Sequence, residues 1–374
     1  MKKRIYLSSP HMSGEEQKYI QEAFDTNWVA PLGENVNQFE NDVKNYLDIE
    51  GATALVSGTS AIHLGLKCLG VGRGDVVFCQ SLTFSASCNP ILYEGATPVF
   101  IDSDYKTWNM DPKALKIALE DAKQNGKLPK AVVVVDLYGQ SADYDEILSI
   151  CNEYNIPVLE DAAEGLGGKY KGKYLGTFGE IAVLSFNGNK IITTSGGGMM
   201  VSKNKAYTDK ALFWSTQSRD DAPYYLHSEV GYNYRMSNIV AGIGRGQMTV
   251  LDERVNKKKY IYHTYKEAFK DIESIEMMPI FEEPNFWLST VTLKDESKVN
   301  EIIDALSKEN IESRRLWNPM HLQPIFKDCK FYSAQSGMSV SEDLFNRGIC
   351  LPSDTKMTDE DLKRVIEIIR NLYK

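Results

Sequence analysis

The feature that most constrains this chain is an alternation of short apolar runs with helical patterns through its first two thirds. The runs DVVFCQ, TPVFID, AVVVVDLYG, IPVLED, EIAVLSF and GGMMVS predict strands, and most are apolar throughout, as expected when helices cover both faces of a sheet. Between them, SAIHLGLKCLG and DYDEILSICNEYN repeat apolar residues at intervals of three and four, which predicts amphipathic helices. The pattern predicts an α/β fold.

The pattern changes after about residue 250. A long charged helix, LDERVNKKKYIYHTYKEAFK, is followed by FWLSTVTL, by an amphipathic KVNEIIDALSKENI and by a terminal TDEDLKRVIEIIRNLY. These segments predict a smaller α+β domain, with the charged helix as the connection. We therefore expect a large domain of residues 1–250, including an N-terminal segment, and a small domain of residues 251–374.

Composition and charge narrow the class of protein. With 43% hydrophobic and 25% charged residues, the 374-residue chain is typical of a globular enzyme. Its net charge of -9 argues against a nucleic-acid binder, and no segment approaches the roughly twenty apolar residues of a membrane span. We expect a cytoplasmic protein with no nucleic-acid or membrane partner. The six cysteines contain no CxxC pair and the five histidines no cluster, so we expect no structural metal.

Lys190 and Asp161 together predict the chemistry. Lys190 stands in SFNGNKIITTSGGGM, downstream of Asp161 in VLEDAAEGLG. A lysine amine forms a Schiff base with the aldehyde of pyridoxal phosphate (PLP), and an aspartate can hold the pyridine nitrogen of that cofactor protonated. Alone, such a lysine is more often a solvated surface charge, and such an aspartate a helix cap. Their order predicts a PLP site with both residues catalytic.

The stretch VSGTSAIHLGL, between a strand and a helix, suits the phosphate of the cofactor. Gly58 allows a tight turn, and Thr59 and Ser60 lie in the first helical turn, where unpaired amides and the helix dipole favour an anion. Ser185, five residues before Lys190, can add another hydroxyl. The alternative is an ordinary helix N-cap.

Two further side chains complete the predicted cofactor site. Phe84, in QSLTFSAS, follows a strand and can stack on the pyridine ring, although an aromatic residue in such a place is more often part of a core. Glu164, three residues after Asp161, can reach the cofactor hydroxyl or complete a helix cap.

These residues carry a family resemblance. The ordered set SGTSAIHLGL, LTFSAS, TPVFID, VDLYG, EDAAEGLG, SFNGNKIITTSGGG, GYNYRMSNI and MHLQP resembles the DegT-like sugar-nucleotide aminotransferases, which are PLP enzymes of fold type I. The resemblance runs from the first twenty residues to about Pro352. It implies a large domain built on a mainly parallel seven-stranded sheet, with a smaller α+β C-terminal domain. It also implies a homodimer with shared active sites.

Within that family the chain most resembles the aminotransferases of the bacillosamine pathway, through SSPHMSGEE, APLGENVNQFE, SFNGNK, WSTQSR and GICLPS. That subgroup moves an amino group from L-glutamate, leaving 2-oxoglutarate, to C4 of a UDP-linked 4-keto-6-deoxy-N-acetylglucosamine. Two positions depart from the commoner family pattern: many members carry Gln where this chain has Glu164, and SFHPxK where it has SFNGNK. Because Lys190 is present, the resemblance argues against the PLP-dependent sugar dehydratases of this fold, in which a histidine replaces the lysine.

The resemblance also assigns residues. It implies that Lys190 is the Schiff-base lysine and general base, that Asp161 pairs with the pyridinium, and that Asn233 in GYNYRM reaches the phosphate of the neighbouring subunit. Side chains expected at the sugar nucleotide are Asn27 and Trp28, from a partner chain, and Arg235, Arg315, Trp317 and His321. Arg235 and Trp317 have an equal alternative as a salt-bridged arginine and a core aromatic.

Other functions stay open at this stage: an aminotransferase acting on a dTDP- or GDP-linked keto sugar, a non-catalytic PLP-binding regulator, and a PLP lyase acting on an amino acid. A regulator would lose or bury Lys190. A lyase would carry a dedicated arginine for the substrate carboxylate and lack the sugar-nucleotide motifs.

Overall fold

The structure is a computed structural model that describes residues 2–337 and 339–374. Its helices are α1 (Glu16–Asp25), α2 (Glu34–Leu47), α3 (Gly58–Cys68), α4 (Asn89–Tyr93), α5 (Pro112–Gln124), α6 (Tyr144–Glu153), α7 (Lys205–Ser215), α8 (Asn238–Met248), α9 (Leu251–Phe269), α10 (Ser297–Lys308), α11 (Val340–Arg347) and α12 (Asp359–Asn371). Its strands are β1 (Gly51–Leu55), β2 (Val76–Gln80), β3 (Thr97–Ile101), β4 (Ala131–Val135), β5 (Val158–Asp161), β6 (Lys169–Tyr170), β7 (Lys173–Tyr174), β8 (Ile181–Ser185), β9 (Gly198–Ser202), β10 (Ile275–Met277), β11 (Ser289–Leu293), β12 (Arg314–Arg315), β13 (Phe331–Tyr332) and β14 (Gly348–Leu351). No helix in these ranges is long and apolar enough to cross a membrane.

The main sheet of the described chain has eight strands in the order β1-β9-β8-β5-β4-β2-β3-β13. Neighbours from β8 to β13 are parallel, whereas β9 runs antiparallel to both β1 and β8. Seven of the strands lie between Gly51 and Ser202, which confirms the predicted mainly parallel sheet of an α/β fold. The eighth, β13, comes from the C-terminal part of the chain and was not predicted.

Strand β4 shows why these strands are apolar throughout. All five of its residues are buried. Val133 packs in the same core cluster as Leu64 of α3, whereas Val132 packs with Leu119 of α5 and Ile147 of α6. Because successive side chains of a strand point to opposite faces, α3 covers one face of the sheet, and α5 and α6 cover the other.

A second sheet, in the order β10-β11-β14-β12, is antiparallel throughout. It shares an apolar core with α9, α10 and α12, in which Val291, Ile302 and Val365 are fully or almost fully buried. Helix α9 begins at Leu251, directly after the proposed boundary at residue 250. Two segments cross that boundary: Ile5 forms a bridge with Ile311, and β13 pairs with β3. The division into residues 1–250 and 251–374 stays a proposal.

The topology brings several strand ends to one edge of the main sheet. Asp161 ends β5 and Ser185 ends the neighbouring parallel strand β8. Since β9 is antiparallel to both β1 and β8, β1 has the same direction as β8, and its carboxyl end leads at this edge into α3. Ligands of open α/β sheets bind outside the carboxyl ends of the strands.

Candidate active site

A cavity of about 410 Å³ lies at the carboxyl edge of the main sheet. Its lining includes eight of the residues singled out from the sequence, namely Gly58, Thr59, Phe84, Asp161, Glu164, Ser185, Lys190 and Trp317. It also includes residues that were not predicted, among them Ser87, Ala163, Asn187, Asn189, Trp287 and Arg314. Side chains that are as much as 261 residues apart in the sequence, Val56 and Trp317, thus line one cavity.

The N-terminus of α3 forms one end of the cavity. Ser57 is its N-cap and accepts a hydrogen bond from the N–H of Ser60 at 3.1 Å. The N–H groups of Gly58 and Thr59 have no acceptor within the described residues, so two free donors and the positive end of the helix dipole are available there.

Ser60 lies in the same turn, but its polar groups are already hydrogen-bonded to Ser57. Its hydroxyl donates to the carbonyl of Ser57 at 2.7 Å and accepts from the N–H of Ser57 at 3.1 Å, which completes a capping box. The expected phosphate contact of Ser60 is therefore not prepared in this structure, because both its N–H and its hydroxyl serve the helix cap.

Glycines let three elements approach closely at this end. A Cβ on Gly58 would lie 3.2 Å from Cβ of Ser185, and a Cβ on Gly198 would lie 2.3 Å from the carbonyl carbon of Ser57. The ends of β8 and β9 therefore lie directly against the first turn of α3. This approach places the hydroxyl of Ser185 beside the free amides.

Asp161 forms the opposite polar group and is 4% exposed. Its Oδ2 accepts from Ser87 Oγ at 2.6 Å, and its Oδ1 accepts from the N–H of Ala163 at 3.2 Å. Burial raises the pKa of Asp161, while the hydrogen bond from Ser87 and the nearby charge of Lys190 act against that rise. Ser87 is in turn 2.8 Å from the hydroxyl of Thr83. A chain of hydroxyls thus holds this carboxylate in position.

Lys190 Nζ lies 3.4 Å from Oε1 of Glu164 and 4.2 Å from the centroid of the Trp287 ring. The other carboxylate oxygen of Glu164 accepts from the N–H of Tyr138 at 2.7 Å. Burial raises the pKa of Glu164, and the charge of Lys190 opposes that rise. The alternative reading of Glu164 as a helix cap is wrong, because the residues after Asp161 form a turn and no helix begins there.

Aromatic side chains form a wall of the cavity. Phe84 is 51% exposed, and its ring centroid lies 5.2 Å from that of Trp317. Trp317 is almost parallel to Tyr138, at 6.4 Å and 9°. The indole Nε1 of Trp317 is buried and has no hydrogen-bond partner in the described chain. Phe84 lines the cavity with about half of its surface exposed, and its stacking role stays a prediction.

Two predicted cationic residues lie away from the cavity. Arg235 is 8% exposed, forms an ion pair with Glu40 and donates to the carbonyl of Ala54 at 3.2 Å. His321 Nδ1 lies 2.7 Å from Ser81 Oγ, and burial lowers the pKa of this imidazole. The structural alternative for Arg235 is thus favoured, since its charge is already paired. The expected diphosphate contacts of both residues are not formed around this cavity.

Arg315 also points away, and its neighbour takes the expected place. Arg315 donates to the carbonyl of Asn346 at 3.1 Å and to Asn300 Oδ1 at 3.0 Å. Arg314 lines the cavity instead and pairs with Glu312 at 2.6 Å, with 62% of its side chain exposed. Both residues belong to β12, where successive side chains alternate between faces. The sequence contains the right dipeptide but does not show which arginine faces the site.

Asn27, Trp28 and Asn233 do not line the cavity of their own chain. All three are exposed, and Trp28 is fixed through its carbonyl, which accepts from Asn238 Nδ2 at 2.9 Å. Because their predicted roles require a second subunit, those roles stay predictions.

The residues present fit pyridoxal phosphate. The free amides of α3 and the hydroxyl of Ser185 suit its phosphate, Asp161 suits a protonated ring nitrogen, and Lys190 supplies the amine that its aldehyde requires. Phe84 and Ala163 line the space that the ring would fill. When bound, PLP supplies an aldehyde and a ring that accepts electrons.

Comparison with known proteins identifies the family. A sequence model of the DegT/DnrJ/EryC1/StrS aminotransferase family matches residues 10–370. The chain belongs to this family. The putative pyridoxal phosphate-dependent aminotransferase EpsN of Bacillus subtilis (strain 168) is 55% identical over 375 residues, covering 100% of this chain and 97% of that protein. The GDP-perosamine synthase of Escherichia coli O157:H7 is 35% identical, covering 99% of each.

A solved structure agrees with these relatives. A DegT/DnrJ/EryC1/StrS aminotransferase from Brucella abortus is similar with a TM-score of 0.89 and 27% identity, covering 96% of this chain and 95% of that one. The match confirms the predicted family, the predicted enzyme class and the cofactor: the protein is a PLP-dependent aminotransferase. The relatives do not single out a UDP-linked substrate.

Sequence reasoning missed Ser87, Trp287 and Arg314. Ser87 is three residues after Phe84, and its serine hydroxyl was the only available indication. Trp287 was included in the apolar run FWLSTVTL, where an aromatic residue is typical of a core. Its proximity to Lys190 depends on the packing of the second sheet against the first.

Proposed function

We propose that this protein transfers the amino group of L-glutamate to C4 of a UDP-linked 4-keto-6-deoxy-N-acetylhexosamine. The products would be 2-oxoglutarate and a UDP-linked 4-amino-4,6-dideoxy sugar for bacterial glycan synthesis. The observation that carries the proposal is the placement of Lys190 in one cavity with the carboxylate of Asp161 and the free amides of α3. The resemblance to the bacillosamine subgroup supports the choice of sugar.

Each polar group has a task in the proposed reaction. Asp161 accepts a hydrogen bond from Ser87 that favours its ionised form, and its carboxylate would keep the ring nitrogen of the cofactor protonated. The Lys190 amine would hold the cofactor through its aldehyde, and as a free amine it would take and return the proton at the carbon that carries the amino group. Glu164 Oε1 lies 3.4 Å from the Lys190 amine and would help to position it in the cavity. The keto carbon of the sugar must approach the same amine for the second half of the reaction.

Arg314 is the residue we propose for the diphosphate of the sugar nucleotide. It is the arginine that lines the cavity in the described chain, and because 62% of its side chain is exposed, solvent weakens its ion pair with Glu312. Trp317 provides an apolar surface beside it for the sugar or base.

A GDP-linked keto sugar is the second candidate substrate. The observation that favours it is the 35% identity over 99% of the chain to a protein named GDP-perosamine synthase. EpsN, which is 55% identical, carries no sugar in its name and does not separate the two candidates.

The test is the visible spectrum of the PLP-loaded protein with L-glutamate, followed by a panel of UDP-, GDP- and dTDP-linked 4-keto sugars. We expect L-glutamate to remove the visible band and a UDP-linked 4-keto-6-deoxy-N-acetyl sugar to restore it, with the amino sugar found by mass spectrometry. Lys190→Ala is the control and should show neither change. Restoration by a GDP-linked sugar alone would replace the first substrate with the second. A wild-type spectrum that does not respond to L-glutamate would favour a regulator or a lyase.

The resemblance also leads us to propose a homodimer in which Asn27, Trp28 and Asn233 act on the partner's site. The loop before Asn233 supports this, since Tyr224, Tyr225 and Val230 are 64%, 78% and 74% exposed. Exposed apolar clusters of this kind mark protein–protein contacts. Mixing Lys190→Ala with Asn233→Ala subunits tests it: hybrid dimers hold one site with both residues intact and should regain activity. No recovery after subunit exchange, shown by mass, would contradict shared sites.

A further inference from the structure

Lys258 is a buried lysine in α9, a helix that is rich in charged residues. Its side chain belongs to α9 and is 1% exposed, whereas the adjacent Lys259 is exposed. Its Nζ donates to the carbonyl of Trp287 at 2.9 Å and to Ser8 Oγ at 3.1 Å. Burying an amine costs free energy unless it is hydrogen-bonded. These two bonds account for its position.

The two residues that accept hydrogen bonds from Lys258, Ser8 and Trp287, both donate to the same carbonyl oxygen. The carbonyl of Asn189 accepts from Trp287 Nε1 at 2.7 Å and from Ser8 Oγ at 2.9 Å. A closed ring of hydrogen bonds therefore runs from Lys258 through Ser8, Asn189 and Trp287 back to Lys258. Asn189 directly precedes Lys190, so the ring ends at the backbone that carries the reactive amine.

The ring also fixes the surface against which that amine lies. Lys190 Nζ is 4.2 Å from the centroid of the Trp287 indole. Trp287 is held at two points: its indole Nε1 donates to the carbonyl of Asn189, and its backbone carbonyl accepts from Lys258. Ser8 adds a third element, the N-terminal segment, to the same point.

The geometry survives a change in the charge of Lys258. Burial lowers the pKa of this amine to about 7, and the charge of Asp354 opposes the shift. A neutral amine keeps two N–H donors and the structure shows two acceptors, so both bonds persist in either form.

We propose that Lys258 is a positioning residue for Lys190, acting through Ser8 and Trp287 on the carbonyl of Asn189. Lys258 itself does not line the cavity that holds Lys190 and Asp161. Its effect is to hold the Lys190 turn and the Trp287 ring in register, so that the Lys190 amine stays between that ring and Glu164. The inference rests on the proposed role of Lys190 as the reactive lysine.

The experiment compares Lys258→Met with Lys259→Met. Both remove one amine from neighbouring positions of α9, but only the first breaks the ring. In the cofactor-free proteins, the rate of Lys190 modification by trinitrobenzenesulfonate is measured by peptide mass mapping. We expect this rate to rise roughly five- to 25-fold in Lys258→Met, because the variant loses two hydrogen bonds and each loss raises the open population of the turn by up to about fivefold. Lys259→Met should match the wild type.

A second readout follows the tryptophan. The near-ultraviolet circular dichroism should weaken in Lys258→Met and stay unchanged in Lys259→Met, because Trp287 loses one of its two anchors. In the loaded enzyme, kcat should fall while KM for the sugar nucleotide stays within about twofold, since the substrate contacts are not altered.

Two outcomes would overturn the proposal. One is a folded Lys258→Met protein with wild-type Lys190 labelling, even if its melting temperature is lower, which would mean that the lysine only stabilises the fold. The other applies if Lys258→Met does not fold: Ser8→Ala then decides, and unchanged labelling in it would exclude the ring. Because labelling needs neither cofactor nor substrate, these outcomes are distinct from a wild-type enzyme that transfers no amino group.

Discussion

Ser87→Ala tests whether one hydroxyl maintains the charge of Asp161. Ser87 Oγ donates to Asp161 Oδ2 at 2.6 Å, and the carboxyl group is 4% exposed, so water cannot replace the donor without entering the core. A hydrogen bond to a charged group contributes about 1.5–3 kcal/mol. At about 1.36 kcal/mol per pKa unit, its loss raises the pKa of Asp161 by roughly one to two units.

The direction follows from the forces on this carboxyl group. Burial already raises the pKa of Asp161, and Ser87 is the first opposing influence, followed by Lys190. Without Ser87 the protonated form gains, and a neutral carboxyl group cannot hold a proton on the ring nitrogen of PLP. We expect the dissociation constant of PLP at pH 8 to increase, by at most roughly 10- to 150-fold, the factor reached if all of that free energy is lost from cofactor binding.

The assay is a titration of cofactor-free protein with PLP, followed by absorbance, for wild type, Ser87→Ala and Ser85→Ala. Ser85 is two residues away in the same short turn and does not line the cavity, so its variant should bind PLP within about twofold of the wild type. Wild-type affinity in Ser87→Ala would refute the reasoning. So would an equal loss in both variants, because the effect would then come from the turn and not from the hydrogen bond.

Two other predictions concern stability. Burial raises the pKa of Asp136, the nearby Glu160 raises it further, and Asp136 Oδ2 has no partner in the described chain. A raised carboxyl pKa stabilises the fold below the unfolded value of about 4, and this contribution is lost as pH rises towards the folded value. The melting temperature of Asp136→Asn, relative to that of the wild type, should therefore rise between pH 5 and pH 8. A difference in melting temperature that stays constant with pH would contradict a raised pKa of Asp136. Gly198→Ala should destabilise by about 1–3 kcal/mol and weaken PLP binding, because its Cβ would lie 2.3 Å from the carbonyl carbon of Ser57. Gly72→Ala, with no atom within 4 Å of its Cβ, is the control in denaturant unfolding, and equal losses in both variants would rule out the steric explanation.

The main sheet could be predicted from the sequence because its strands are buried on both faces. The four consecutive valines of β4, in AVVVV, are typical of a strand and rare in a helix. The order of strands and helices along the chain then determines the class of fold. Strand β1, GATAL, was expected only as the strand before VSGTSAIHLGL, because its small residues carry no such apolar run. Strand β13, with two residues, is too short to leave one.

The residues of the candidate site likewise fall into those that could be predicted from the sequence and those that could not. Lys190, Asp161 and the first turn of α3 follow strand ends or turns, so their neighbourhood follows from topology. Arg314 belongs to the second sheet and Trp287 lies two residues before its strand β11, so their position depends on how the two sheets pack. The sequence supplied the arginine pair of β12 without its orientation, and a two-residue strand has no periodicity from which to derive one.

The pairing of β13 with β3 has a consequence for the order of folding. During synthesis β3 emerges more than two hundred residues before Phe331 and Tyr332, its partners on that side. Until then the nascent chain presents an open sheet edge to the ribosome surface and to chaperones. Ile5, near the N-terminus, likewise cannot form its bridge until Ile311 has been synthesised. Closure of the fold therefore depends on the last part of the chain, and incomplete chains would carry an edge that invites aggregation.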